Sequence, residues 1–265
     1  MTDQPRVHVT PGRVFLALLR RDLTVVRREL PYFLLRTTMQ PILFTIVFGY
    51  LLPRMGFVAG GYTTALLPGI IAVSLALSSV QSVALPMVAD FGFTREIEDR
   101  LLAPVPLRLV AIEKIVAGTA QGLLAALFVL PVARLIMGPI AGLEGAHFGV
   151  ALLVTLLGAA AFSALGLVLG TIIDGQQIGL MFGIVVAPLI MFGCAYYPWS
   201  GLTAVPLVQV AVLINPLVYV SEGMRGALTP GVPHMPMVAV VIALAVILVG
   251  GARWGLATFM KRALG

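Results

Sequence analysis

The sequence predicts an all-α membrane protein: six transmembrane helices, an amino-terminal helix at the membrane surface, a short cytoplasmic helix between spans two and three, and outer re-entrant helices between spans five and six. Three observations predict it. Hydrophobic residues make up 60% of the 265 residues, only 11% are charged, and the mean hydropathy is +1.05; that leaves too little polar surface to coat a water-soluble globule. Uncharged windows run 37–53, 55–89, 115–133, 145–173, 175–221 and 226–252. About 20 apolar residues in helical form cross ~30 Å of hydrocarbon, and none of these windows alternates as a membrane β-strand would. The basic residues gather on alternate connecting segments, as a multi-pass topology requires.

The first element is the amino-terminal helix. In GRVFLALLRRDLTVVRREL, Phe15, Leu19, Leu23, Val26 and Leu30 fall in steps of three and four and form one apolar stripe. Arg13, Arg20 and Arg27 recur every seven residues on another face, joined by Arg21 and Arg28. Such a helix lies in the headgroup layer, apolar face down, its arginines toward anionic lipid or a partner. Pro31 ends or kinks it. The predicted domain division follows: 1–31 as cytoplasmic tail and interfacial helix, 32–265 as one six-span transmembrane domain. No apolar core followed by a small-residue cleavage site opens the chain, so no cleaved signal peptide is expected.

The spans are expected near 34–53, 63–89, 110–133, 148–173, 177–195 and 234–257. The window 175–221 is too long for one crossing and divides at YYPWSG, an aromatic, turn-rich boundary. Six spans place both termini on one side. Fourteen basic residues lie there, in the amino-terminal segment, in the loop between spans two and three, and at the carboxyl end, against Arg54, Arg134 and Arg225 on the other. The positive-inside rule makes the fourteen-residue side cytoplasmic. The expected location is the plasma (inner) membrane, and the net charge of +6 is explained by topology rather than by nucleic acid.

Between spans two and three, TREIEDRLLAPVPLR holds six charges in fifteen residues. Thr94 can cap a helix with Glu96 and Glu98 near its positive end; Ile97, Leu101 and Leu102 gather on one side, while Arg95, Glu98, Asp99 and Arg100 carry charge. Pro104 and Pro106 stop it after about three turns, roughly 15 Å. A short, stiff helix of mixed charge across the cytoplasmic mouth suits mechanical contact with a soluble partner. On the outer side, YYPWSGLTAVPLVQVAVLINPLVYVSEGMRGALTPG is too apolar for a free loop, yet Pro206, Pro216, Glu222 and Arg225 make it a poor span. It reads as two short helices dipping into the outer leaflet, with Glu222 and Arg225 able to pair three residues apart.

Motifs for chemistry are missing. There is no GxxxxGK[ST], HExxH or GxSxG sequence, so the chain is not expected to bind ATP itself or to be an enzyme. His8, His147 and His234 are scattered, and the single cysteine, Cys194, reads as a small packing residue. The span centres carry no charge; Arg36, Asp174 and Arg253 lie near span ends. A proton-coupled carrier keeps intramembrane charges for its relay, so energy is expected from outside the chain. Ser74, Ser78 and Gln81 share a face of span two, and Gln40 and Gln121 lie in spans one and three. These, with Met181 and Phe182 of span five, either pack helices or line a path for an amphiphilic substrate; Gly158 to Gly170 supplies small residues for close packing.

Two segments, RLLAPVPLRLVAIEK and NPLVYVSEGMRGAL, resemble the permease subunit of type-2 ABC exporters, the family of antibiotic, lipid and polysaccharide efflux permeases. The resemblance implies that the cytoplasmic helix docks in a cleft of the ATPase through Glu96, Glu98, Asp99, Arg100, Leu101, Leu102, Pro104 and Lys114. It implies an outer segment marked by Asn215, Pro216, Leu217, Tyr219, Glu222 and Arg225. Val218 stands where a hydroxyl residue is common, and the acidic run lacks a glycine often found there. It further implies two permeases, identical or paralogous, with two ATP-binding subunits that hold ATP and magnesium, and a hydrophobic or amphiphilic small molecule (drug, antibiotic or lipid) moved outward. A lipid-linked polysaccharide exporter, a membrane-embedded lipid-modifying enzyme and an ATPase-independent channel or carrier are the rival readings.

Overall fold

The computed structural model describes residues 11–58, 61–92, 106–138 and 145–264, without the side chains of Pro11, Ile178, Met181 and Phe182. Among the described residues all regular structure is helical: α1 (Pro11–Arg28), α2 (Leu30–Arg54), α3 (Tyr62–Gly92), α4 (Leu107–Met137), α5 (Phe148–Ile172), α6 (178–191), α7 (Pro206–Ile214), α8 (Pro216–Leu228) and α9 (Met237–Leu264). Helix starts follow local chemistry. Pro216 opens α8, where its missing N–H is no loss, and the Asn215 side chain caps the helix by accepting from the Leu217 N–H at 2.9 Å.

α3 is the central helix. Its most apolar stretch is 83% buried, against 17% for α9, which leaves α9 facing the surroundings. α3 packs on α4, α5 and α8, and small residues set the closeness. A Cβ on Gly122 of α4 would stand 2.0 Å from the Ser79 hydroxyl, and one on Gly166 of α5 would stand 2.9 Å from the Val80 carbonyl. Where apolar lipid removes the hydrophobic drive between helices, such backbone approach supplies the packing energy. The small-residue run in span four is therefore a contact surface.

Helix contacts define two ends. At one end Arg262 of α9 donates to the Thr171 and Ile173 carbonyls at 2.8 and 3.1 Å and to Asp174 at 3.0 Å, and Phe91 meets Phe259 edge to face at 5.8 Å. At the other, Phe44 and Phe48 of α2 stack on Tyr196 at 4.8 and 5.4 Å, while the Tyr62 hydroxyl donates to the Tyr196 carbonyl. The chain from Asp174 to Tyr196 joins these ends, so it passes through the bundle as α2, α3, α4, α5 and α9 do.

Five of those six passages are helices long and apolar enough to cross a membrane. The sixth differs from the unbroken helix expected at 177–195. It opens with a 3-10 turn (Gly175–Gln177), becomes a π-helix over Phe182–Val186 and stops at Met191. Pro188 removes a donor and clashes with the preceding turn, and Gly179 and Gly183 weaken the helix there. α2 carries a similar π-helix, Thr45–Leu51, after Pro41; the Thr45 hydroxyl donates to the Pro41 carbonyl at 2.7 Å. α7 and α8 meet at Asn215 with a bend of 100° and do not form a straight span.

Candidate functional site: a buried ion pair and a charged mouth at opposite ends

The polar centre at the Tyr196 end is built around α8. Glu222 and Arg225 sit one turn apart, form an ion pair and are both 0% exposed. Removing two charges from water costs several kcal/mol each, so such a pair persists only when its remaining hydrogen-bonding groups are matched. Here they are. Glu222 accepts from the Trp199 and Met235 N–H groups at 2.9 and 3.0 Å, and Arg225 donates to the Ala65 and Cys194 carbonyls at 3.2 and 3.0 Å. Cys194 holds a positive φ of 51°, a left-handed turn at the end of the fifth passage. Three segments, at Ala65, at 194–199 and at Met235, thus meet on one charge pair.

Second contacts hold the α7–α8 elbow in place. The Asn215 amide donates to the Leu189 carbonyl at 2.7 Å, the Tyr219 hydroxyl to the Leu213 carbonyl at 2.8 Å, and the Trp199 indole N–H to the Gln209 carbonyl at 3.0 Å. Backbone left unpaired by the bend therefore finds partners within the protein, the condition for irregular structure at membrane depth.

At the opposite end, α1 lies on α4. Lys114 Nζ is 2.5 Å from Asp22 Oδ2 and 3.9 Å from Glu113 Oε2, and Lys114 is 5% exposed. α3 ends at Gly92 and α4 begins at Leu107 beside this pair. A cavity of about 680 Å³ opens here between α1, α2, α3 and α4.

The fold and its polar centres coincide with a family match: residues 13–229 fit the ABC-2 type transporter family, most of the chain. The chain belongs to the ABC-2 type transporters. This ABC-2 permease is 31% identical over 202 residues to the inner membrane transport permease YadH of Escherichia coli K12, covering 74% of the chain and 75% of that relative. The same values hold for YadH of Escherichia coli O157:H7 and of Shigella flexneri. It is thus a multi-pass membrane protein and the permease subunit of an ABC transporter, not the subunit that hydrolyses ATP.

The ABC-2 permease places its sequence-marked residues as follows. Asn215, Pro216, Tyr219, Glu222 and Arg225 come together at the α7–α8 elbow. Thr94, Arg95, Glu96, Glu98, Asp99, Arg100, Leu101, Leu102 and Pro104 lie outside the described residues, as do the side chains of Met181 and Phe182. Ser74 and Ser78 are fully buried and donate to the Ala125 and Gln121 carbonyls of α4 at 3.4 and 3.1 Å; within one chain they face a neighbouring helix. Gln81 is half-buried, and Gln40 is exposed on α2. Lys114, grouped with the docking motif by resemblance, is turned inward onto Asp22 because a buried ammonium needs a carboxylate.

Several partners had no strong sequence signal. Ala65, Cys194, Trp199 and Met235 act through backbone groups, which side-chain identity does not report. Asp22 did have one: it is the lone acid in α1 among five arginines.

Proposed function

We propose that this permease is the membrane-spanning half of an ABC exporter, moving a hydrophobic or amphiphilic small molecule outward with ATP hydrolysed by a separate subunit. The family supports an ATP-binding partner. The observation that carries the mechanism is the placement of Gly92 and Leu107. The 93–106 connection joins α3 to α4, the central helix to a close neighbour, so a push on that connection is delivered to the core of the bundle. In this reading the 94–103 segment sits in a cleft of the ATPase, with Glu98 and Asp99 as charged contacts.

The α1 end is cytoplasmic in this account, supported by the arginines of α1 and by Lys261 and Arg262 at the close of α9. The inner membrane is the expected site, as the name of the YadH permease gives for that relative. Two permease chains and two ATPases, with ATP and magnesium held by the latter, complete the assembly. Binding of ATP draws the ATPases together; α3 and α4 follow, while the Glu222–Arg225 centre keeps the outer elbow attached to α3 and to the end of the fifth passage. The path between the first and fifth passages, each interrupted by a π-helix, would carry the substrate.

Co-expression with the candidate ATP-binding subunit tests the assignment. A tagged permease should retain that subunit through purification and raise its ATP hydrolysis. A permease that never retains it under those conditions contradicts the exporter reading.

A further inference from the structure

Contacts between helices fix the depth of the residues that line the cavity at the α1 end. The Ser78 hydroxyl donates to the Gln121 carbonyl, so Gln121 of α4 stands level with Ser78 of α3. α3 runs toward the α1 end. Ser82 therefore lies one turn nearer that end, about 6 Å, and Pro86 two turns nearer, about 12 Å. α2 is placed by Gly49, where a Cβ would stand 3.5 Å from Leu66. Arg36 is thirteen residues before Gly49 on α2, and Ser78 twelve after Leu66 on α3, so Arg36 stands near the level of Gln121. Phe33 lies three residues, about 4.5 Å, nearer the mouth. From floor to rim the cavity presents Arg36 and Gln121, next Phe33 and Ser82, next Leu85 and Pro86, and last Asp90.

Polar groups are left over at the floor. Among the described residues neither the Gln121 amide, in a residue 9% exposed, nor the Arg36 guanidinium has a hydrogen-bond or ion-pair partner. Both belong to helices that start at the α1 end, so their side chains lean back toward the mouth and into the cavity. The other lining cations are already matched: Lys114 and Arg21 both pair with Asp22. Glu29 is exposed in the break between α1 and α2 and makes no ion pair with Arg36. An unmatched cation beside an unmatched buried amide favours a ligand that brings the missing acceptor. Above that floor the wall is apolar. The order fits a molecule that enters anion first with an apolar body behind it. A phospholipid of the adjoining leaflet has the reverse order, head at the rim and chains inward.

We infer that this cavity binds an organic acid from the cytoplasm, its carboxylate on Arg36 and the Gln121 amide N–H and its apolar body against Phe33, Leu85 and Pro86. A volume of about 680 Å³ holds a drug-sized molecule. α2 walls this cavity and the proposed path alike. The inference names a substrate class for the exporter reading and rests on that reading for the role of the site. Binding itself is read without ATP or partner, so a permease that binds the acid but retains no ATP-binding subunit removes the exporter reading and keeps the site.

The test is scintillation-proximity binding of tritiated 4-phenylbutyrate, whose methylene linker spans floor to apolar wall, to the full-length permease in detergent. Wild type should bind it saturably. Unlabelled 4-phenylbutyrate should displace it on the order of tenfold better than the uncharged 4-phenylbutyramide, and 4-phenylbutylamine should not displace it. Arg36→Ala should weaken binding by roughly tenfold or more and Arg36→Lys by less than about threefold. Gln121→Leu should weaken it several-fold, all with unchanged gel-filtration profiles. No saturable binding, displacement by the amide as effective as by the acid, or displacement by phosphatidylglycerol at the acid's concentration overturns the inference on the wild-type protein alone. Unchanged binding by Arg36→Ala overturns it as well.

Discussion

Lys114 Nζ lies 2.5 Å from Oδ2 of Asp22, a residue ninety-two positions earlier, and this pair ties the amino-terminal helix to the beginning of α4. The lysine is almost fully buried and the aspartate mostly so, so neither charge has enough water to stand alone. α1 is thereby joined to the same helix that receives the 93–106 connection.

Breaking that pair should loosen α1. Lys114→Met leaves the mostly buried Asp22 carboxylate with Arg21 as its ion-pair partner among the described residues, and is expected to cost about 1.5–3 kcal/mol, the range for losing a hydrogen bond to a charged group. The double variant Asp22→Asn with Lys114→Met should recover part of that loss, because the Asp22 charge that lost its lysine is then gone. Unfolding by SDS titration, followed by intrinsic fluorescence, measures both; a double variant as unstable as the sum of the singles would show that the residues act separately.

The Glu222–Arg225 centre should be less tolerant. Glu222→Gln or Arg225→Met strands one fully buried charge and is expected to destabilise by about 3–5 kcal/mol. Cys194 gives a direct readout, since it is the single cysteine, is 0% exposed, and offers its carbonyl to Arg225. Its thiol should resist maleimide in the wild-type protein and react several-fold faster in Arg225→Met, because opening that contact uncovers the turn. Equal labelling rates would show that the ion pair does not hold the turn closed.

Close approach makes a third expectation. A Cβ on Gly69 would fall 1.7 Å from the Ala195 carbonyl oxygen, a distance no small adjustment relieves, whereas one on Gly12 meets nothing within 4 Å. Gly69→Ala should fail to give a monodisperse gel-filtration peak, and Gly12→Ala should match wild type.

Hydropathy made most of the architecture legible before any coordinates. Residues 63–89, 110–133 and 148–173 lie within or along α3, α4 and α5, because in a membrane segment apolarity and helicity have the same cause: the backbone must satisfy itself. The fifth passage was legible in place but not in form, since a hydropathy window does not weigh the effect of Pro188 on the preceding turn. The pairing of Glu222 with Arg225 followed from their spacing, yet the four backbone partners that make the pair tolerable did not. Those partners depend on how distant segments meet. Ser74 and Ser78 formed a polar face in the sequence, and the face is turned onto α4 carbonyls, a distinction that periodicity within one helix does not contain.

The central claim is that energy from a separate ATPase enters the permease through the connection between α3 and α4. The most direct measurement reconstitutes the permease with its ATP-binding subunit in proteoliposomes and compares wild type with a Glu98→Lys, Asp99→Lys variant. The account predicts that the variant inserts and elutes as wild type does, while the permease-dependent part of ATP hydrolysis falls by tenfold or more, the effect of about 1.4 kcal/mol or more of lost contact energy. Permease-dependent hydrolysis at the wild-type rate in a correctly inserted variant would contradict it.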